Sequence, residues 1–508
     1  MRITSRVLAL VAGLLAFGAV QPAKSQTADP ARALVERVTE ATLDNGLRVL
    51  LVEDHSAPVI AFNLMFGVGG LDEPAGLGGI AHMVEHMAFK GTTTIGTDQP
   101  LLEQQALAAV EVRALALAHV RDGGSPEEVA AAEEAFAAAQ QRAQSLALPS
   151  ALDSLLSSAG AVGLNASTGY DRTAYVVELP ANQLELYARV YADVLRDTVF
   201  RYFYAERDVV RQERRQRSED DPQGFLFEAF QDAAYVRHPY GRSLIGDAET
   251  IESYRATEAK AFFEAFYHPG QAVLVLVGDV QPETDLPLLE RYFGTIPAGT
   301  PPRVRLPSEP PQKEERRVTV DYDAQPQIVI GWHKPTYPER EAFVLDLISA
   351  LLSDGRTSRL YRRMVVEDGL ALNVTTSSAF PGVREPNLFI FYGQPRSPNG
   401  PAQLEAALYE ELERLRSEPV GDEELDKVKN RVVASTVRAL SSNSGLAAAL
   451  AFNELFAGGW ERLMLDLEIY QSVTAEEIRT VARKVFRPEN RTVGVLLPSP
   501  GQAAEVRR

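Results

Sequence analysis

From residue 39 the chain runs in short apolar stretches of strand length, broken by turn residues. TEATLDNGLRVLLVEDHSAPVIAFNLMFGVGG (39–70) contains the turn signals Asp44-Asn45-Gly46 and Ser56-Ala57-Pro58, and predicts a hairpin of strands at about 39–53 and 58–68. The period then changes. In GLGGIAHMVEHMAF (76–89), Leu77, Ile80, Ala81, Val84 and Ala88 fall near helical spacing, so a helix follows the strand pair. Residues 99–148 are rich in Ala, Gln and Glu and are divided by Arg121-Asp122-Gly123-Gly124. Ser125-Pro126-Glu127-Glu128 supplies an N-cap serine, a proline at the first helical position and a glutamate at the third, which predicts a helical hairpin. A disordered linker is the competing reading of this stretch. Further on, 173–180 and 271–280 read as strands, and 182–196 and 204–219 as helices.

Six prolines fall between Pro297 and Pro311, and such a stretch reads as an extended spacer. After it the plan restarts. VTVDYDAQPQIVIGWH is strand-like, 338–353 and 356–367 are helical, and RTVGVLLP closes the pattern as a strand. Both halves run from strands through helices to strands, which suggests a diverged structural duplication. The expected organisation is α+β: an N-terminal half over 33–295 with an insertion at 99–150, a linker at 296–317, and a C-terminal half over 318–500.

The first residues, MRITSRVLALVAGLLAFGAVQPAKSQ, combine Arg2 and Arg6 with a short apolar run and small residues at Ala23 and Ser25. They predict a signal peptide over 1–25 and a mature protein that is periplasmic or secreted, with no membrane attachment. The net charge of −18 argues against nucleic acid as a partner, because phosphate binding needs a cationic surface. The chain has no cysteine. Disulfides and thiolate zinc sites are therefore excluded, and any metal must be held by His, Asp or Glu.

His82 and His86, two of seven histidines, lie four residues apart with Glu85 directly before the second. On a helix, positions i and i+4 share a face, so both imidazoles can reach one ion while Glu85 acts on a water beside it. The alternative is three polar residues on an ordinary surface helix. A catalytic zinc needs a third protein ligand and an open position. YAERDVVRQERRQRSEDDP (204–222) offers Glu206 and Glu213, seven residues and two helical turns apart. One could bind metal while the other orients its surroundings. The competing reading of this stretch is a solvated, charged helix face.

Four segments, GGIAHMVEHMAFKGT (78–92), NASTGYDRTAYVVELP (165–180), ERDVVRQERR (206–215) and HPYGRSLIG (238–246), resemble in their order the pitrilysin/insulinase family of inverzincin metallopeptidases. In particular they resemble the half-length type similar to mitochondrial processing peptidase and bacterial zinc proteases. The resemblance implies two α/β-sandwich halves forming half of a clam shell, and one zinc per chain held by His82, His86 and Glu213. It also implies Glu85 as general base, Glu206 as its supporting glutamate, and Asn165 and Ala166 on an edge strand that pairs with an extended peptide substrate. The implied activity is that of a zinc endopeptidase acting on peptides or loosely folded segments.

The chain departs from the family in two places. The 126 residues between His86 and Glu213 exceed the family spacing by about the length of the Ala-rich stretch. In addition, VVEDGLAL (365–372) holds Val365 and Leu372 where active members carry an arginine and a tyrosine near the cleaved bond. That implies a homologous, zinc-free partner subunit supplying the Arg/Tyr pair. The alternatives are a non-catalytic assembly subunit that keeps the fold, or a peptide-binding protein whose zinc is structural.

Overall fold

The computed structural model describes residues 36–499, and the expected signal peptide lies outside them. The first half is built on a six-stranded sheet of β1 (Val38–Thr42), β2 (Arg48–Glu53), β3 (Val59–Phe66), β4 (Val162–Thr168), β5 (Thr173–Pro180) and β6 (Ala272–Gly278), in the order β1-β2-β6-β3-β5-β4. The expected hairpin is thereby corrected. Asp44-Asn45-Gly46 turns the chain within the 39–53 stretch, so β1 pairs antiparallel with β2, Glu40 opposite Leu50. β3 does not touch β2. The wholly buried β6 enters between them, parallel to β2 and antiparallel to β3.

The second sheet contains β7 (Arg316–Tyr322), β8 (Gln327–Lys334), β9 (Ala371–Phe380), β10 (Asn387–Pro395) and β11 (Arg491–Pro498), in the order β7-β11-β8-β10-β9. Its pairings repeat those of the first sheet strand for strand. A first strand lies parallel to the last (β2 and β6; β7 and β11), the last is antiparallel to the second, and the edge is an antiparallel pair (β5 and β4; β10 and β9). The two halves share one topology, with β1 as an addition to the first.

The helices that position the site are α1 (Ile80–Ala88), α2 (Pro100–Arg121), α3 (Pro126–Gln144), α4 (Phe203–Arg214), α5 (Pro222–Ala234) and α6 (Asn443–Phe456). α2 and α3 form the expected helical hairpin. Ser125 accepts the Glu128 N–H while Glu128 accepts the Ser125 N–H, closing a capping box. The halves also exchange helices. α5 buries Leu226, Phe230 and Ala234 against the second sheet, whereas α6 buries Leu446, Ala447, Leu450 and Ala451 against Leu50, Met65, Val273 and Val275 of the first. The proline-rich stretch is held as well: Glu309 accepts the N–H groups of Val236, Arg237 and His238 at 2.9–3.1 Å.

The base of the α2–α3 hairpin belongs to the core. Ala106, Val110, Ala143 and Leu146 are buried in the main cluster, and Phe136 meets Tyr204 edge-on at 5.1 Å. Glu103 forms a buried bidentate pair with Arg201, which is 1% exposed and also donates to the carbonyls of Lys90, Thr92 and Ile95. Removing one member of a buried ion pair leaves an uncompensated charge, at a cost of about 3 kcal/mol. A deletion and a substitution should therefore behave differently. Excising the tip, residues 118–132, across a short glycine link should leave the thermal midpoint nearly unchanged. Glu103→Gln should lower it clearly. An unchanged midpoint for Glu103→Gln would mean that the three carbonyls suffice for Arg201.

Candidate metal centre

α1 follows β3 after the 67–79 loop and presents one face to the core through Ile80, Ala81, Val84 and Ala88. That packing turns His82, Glu85 and His86 toward a cleft of about 860 Å³. α4 crosses α1 with Val210 in the core and brings Glu206 and Glu213 to the same cleft. All five polar residues expected from the sequence thus converge from two helices.

The distances separate two kinds of contact. His82 Nε2 and His86 Nε2 lie 3.8 Å and 3.5 Å from Glu213 Oε2, and the three groups offer ligand atoms all within 4.8 Å of one another. These separations are too long for good hydrogen bonds. They are close to the roughly 3.3 Å between neighbouring donors that 2.0–2.1 Å bonds around a tetrahedral zinc require. His82 Nδ1 is buried with no hydrogen-bond partner, and the two rings meet edge-on at 4.7 Å. Glu206 stands apart from this group. It accepts from His86 Nδ1 at 2.9 Å and from Lys90 Nζ at 2.6 Å, so it orients the ring whose other nitrogen faces Glu213. The donor set fits a zinc ion, with three protein ligands and the cleft as the open side.

The electrostatics agree. Burial pulls the His82 imidazole down to about 4, helped by the charge of His86. Burial would lower His86 too, but Glu206 and Glu213 outweigh it and hold that ring at about 9. The pocket therefore favours positive charge between its carboxylates, which is the field a metal cation needs. Burial raises the Glu85 carboxyl above its ordinary range, with the Thr168 hydroxyl opposing. A base raised toward neutrality is well matched to taking and returning a proton.

Asn165 and Ala166 lie on β4 and line the same cleft, opposite Val176 and Tyr175 of β5. β4 is the terminal strand of its sheet, so its outer edge carries unpaired main-chain groups. Val365 and Leu372 are not in the cleft. Val365 packs on the second core, and Leu372 sits half-exposed on β9, the edge strand that corresponds to β4.

Several neighbours gave no signal in the sequence. Arg217 Nη2 pairs with Glu213 Oε1 at 2.9 Å. Phe380 and Pro381 of the second half close one end of the cleft. Behind them Arg384 grips Asp72 with two bonds of 2.9 Å, and Asp171 accepts both the Val383 N–H and the Tyr240 hydroxyl at 2.6 Å. Apart from the i,i+4 pair of Arg217 and Glu213, these contacts join residues far apart in the chain, which no local pattern encodes.

Comparison with known proteins gives a consistent picture. The family model described as insulinase (peptidase family M16) matches residues 48–113 and 138–248, and that described as peptidase M16 inactive domain matches 253–432. The unmatched 114–137 is the outer part of the α2–α3 hairpin. The chain is 25% identical over 484 residues to the zinc protease PqqE of Helicobacter pylori, covering 92% of this chain and 94% of that protein. It is 22% identical to the uncharacterized zinc protease YmxG of Bacillus subtilis, covering 90% and 98%. A solved protease from Helicobacter pylori shares the fold with a TM-score of 0.75 at 24% identity, over 91% of this chain and 99% of the other. The periplasmic protease PqqL of Escherichia coli gives 0.68 at 19% identity, over 92% of this chain but 48% of its own, so this chain spans about half of it. Among the described residues no helix is long and apolar enough to cross a membrane.

The charge on His86 generates a pH prediction. Its folded value of about 9 lies above the 6.5 of the free group. Its contribution to stability is therefore full below about pH 6.5 and lost as pH rises through 9. In the presence of a chelator, the stability difference between wild type and His86→Gln should be largest near pH 6 and close by pH 10. A difference that grows with pH would contradict this.

Proposed function

Since the chain belongs to the pitrilysin/insulinase (M16) family of peptidases, we propose that it is the zinc-bearing subunit of an endopeptidase that cleaves peptides or loosely folded segments. The observation that carries this reading is the convergence of His82, His86 and Glu213 within 4.8 Å beside Glu85, in a cleft bordered by an open strand edge. His82, His86 and Glu213 would hold the zinc. When bound, zinc lowers the pKa of a water toward about 7 and polarises a carbonyl. Substrate lies as an added strand along Asn165 and Ala166, its main chain fixed by hydrogen bonds to β4. Glu85 takes the proton of the attacking water and returns it to the departing amine nitrogen. Glu206 keeps His86 turned toward the site. The relation to a periplasmic protease and the sequence of residues 1–25 together support a periplasmic or secreted location.

The second half supports a division of labour. Val365 and Leu372 cannot donate a hydrogen bond, and removing one preorganised donor at a reacting carbonyl costs about 10²–10³ in rate. A homologous zinc-free subunit with arginine and tyrosine at those positions would complete the site and close the shell around the substrate. The alternative is a non-catalytic or peptide-binding subunit, and the match of 253–432 to the inactive-domain description keeps it in view.

Metal analysis and a cleavage assay distinguish these readings. Wild type should hold about one zinc per chain, Glu85→Gln should keep it, and Glu213→Gln should lose it. Cleavage of an unstructured peptide should be weak with the isolated chain, rise at least about a hundredfold with the Arg/Tyr-bearing subunit, and disappear in Glu85→Gln. Full activity from the isolated chain would remove the partner from the proposal. Zinc binding without cleavage under any combination would leave the non-catalytic reading.

A further inference from the structure

The N-terminus of α1 lacks an ordinary cap. Its N-cap residue is Gly79, in the left-handed region at φ 86°, with no side chain to accept the free N–H groups of the first turn. The acceptor comes from outside the helix. Glu73, in the loop after β3, accepts the Gly79 N–H on Oε2 at 2.9 Å and the Ala81 N–H on Oε1 at 3.0 Å. Ala81 immediately precedes His82. One planar carboxylate thus spans the N-cap and the second residue of the helix, fixing both its axial position and its rotation.

Among the described residues Glu73 has no other hydrogen-bond partner, and it does not line the cleft. Burial pushes its carboxyl up to about 8, against the two N–H bonds and the nearby Arg242. A buried acid so placed is costly to the fold. With its carboxyl at about 8 the group is fully charged only above that pH, where a neutral side chain of the same shape would cost less, so stability alone does not account for an acid there. An anion at a helix N-terminus is favoured by the helix dipole, and both its oxygens must be acceptors to satisfy two N–H donors at once.

We propose that Glu73 is a positioning residue for the metal centre, a carboxylate that anchors the first turn of α1 so that His82 and His86 meet Glu213 at ligand spacing. The inference rests on the zinc reading above. It reaches the metal only through the main chain of α1, and it predicts a loss of metal affinity without a loss of stability.

In Glu73→Gln the amide oxygen can keep one N–H bond, while the amide NH₂ opposes the other. At pH 9, above the Glu73 value of about 8, the substitution removes a buried charge, so the thermal midpoint of the chelated protein should stay the same or rise there. Zinc affinity, measured by competition with a chromophoric chelator, should fall by about 10–100-fold, as when other groups that orient metal ligands are lost. The visible bands of the cobalt(II)-substituted protein should broaden or shift, reporting altered ligand geometry. In the assembled enzyme kcat should fall with KM little changed, because β4 is untouched. Wild-type zinc affinity and an unchanged cobalt spectrum in a folded Glu73→Gln would overturn the proposal. So would a lowered midpoint with metal affinity intact, the mark of a purely structural residue. Failure of the wild-type chain to bind zinc in the same titration would instead refute the underlying metal reading.

Discussion

Two imidazoles and a carboxylate can share a cation only if two helices from distant parts of the chain approach to a set depth. Here main chain sets that depth. Gly79 opens α1 against Ile245, where an added Cβ would sit 2.3 Å from the Ile245 carbonyl oxygen, and a Cβ on Gly246 would lie equally close to the carbonyl oxygen of Gly78. Both glycines also have positive φ, 86° and 87°. Any side chain at either would drive the start of α1 away from the 245–246 loop. A metal site tolerates displacements of only about 0.5 Å, so the paired glycines are as necessary to the centre as its ligands.

That constraint explains which parts of the site were legible in the sequence. His82, Glu85 and His86 share a helical turn and announced themselves by spacing. Spacing offered Glu206 and Glu213 as a pair on one helix face, but the resemblance alone assigned Glu213 as the ligand, because 126 residues of intervening chain carry no local record of the crossing of α1 and α4. Glu73 gave no signal at all. It lies in an irregular loop, six residues before its first hydrogen-bond partner. The fold divides in the same way. β5, the α2–α3 hairpin and β11 followed from periodicity and capping. The β2–β3 hairpin failed because β6, more than 200 residues later, forms a parallel pair with β2, and parallel partners leave no mark near the strands they join.

The duplicated topology makes the asymmetry of the two halves informative. The helix after β8, Arg340–Ser353, occupies the place of α1 but buries Phe343, Leu347, Ile348 and Leu351 and contains no histidine. The edge strand β9 corresponds to β4 yet presents Leu372. One half keeps the chemistry, and the other keeps the architecture and contributes Phe380 and Pro381 to the cleft lining, with Arg384 held behind them by Asp72 of the first half.

The exchange of α5 and α6 also bears on how the chain comes to be folded at all. Synthesis completes the first sheet when β6 ends at Gly278, yet Leu50, Met65, Val273 and Val275 remain without their cover until α6 ends at Phe456. The first half is thus incomplete as an independent domain, and the last quarter of the protein supplies the cover that finishes its core.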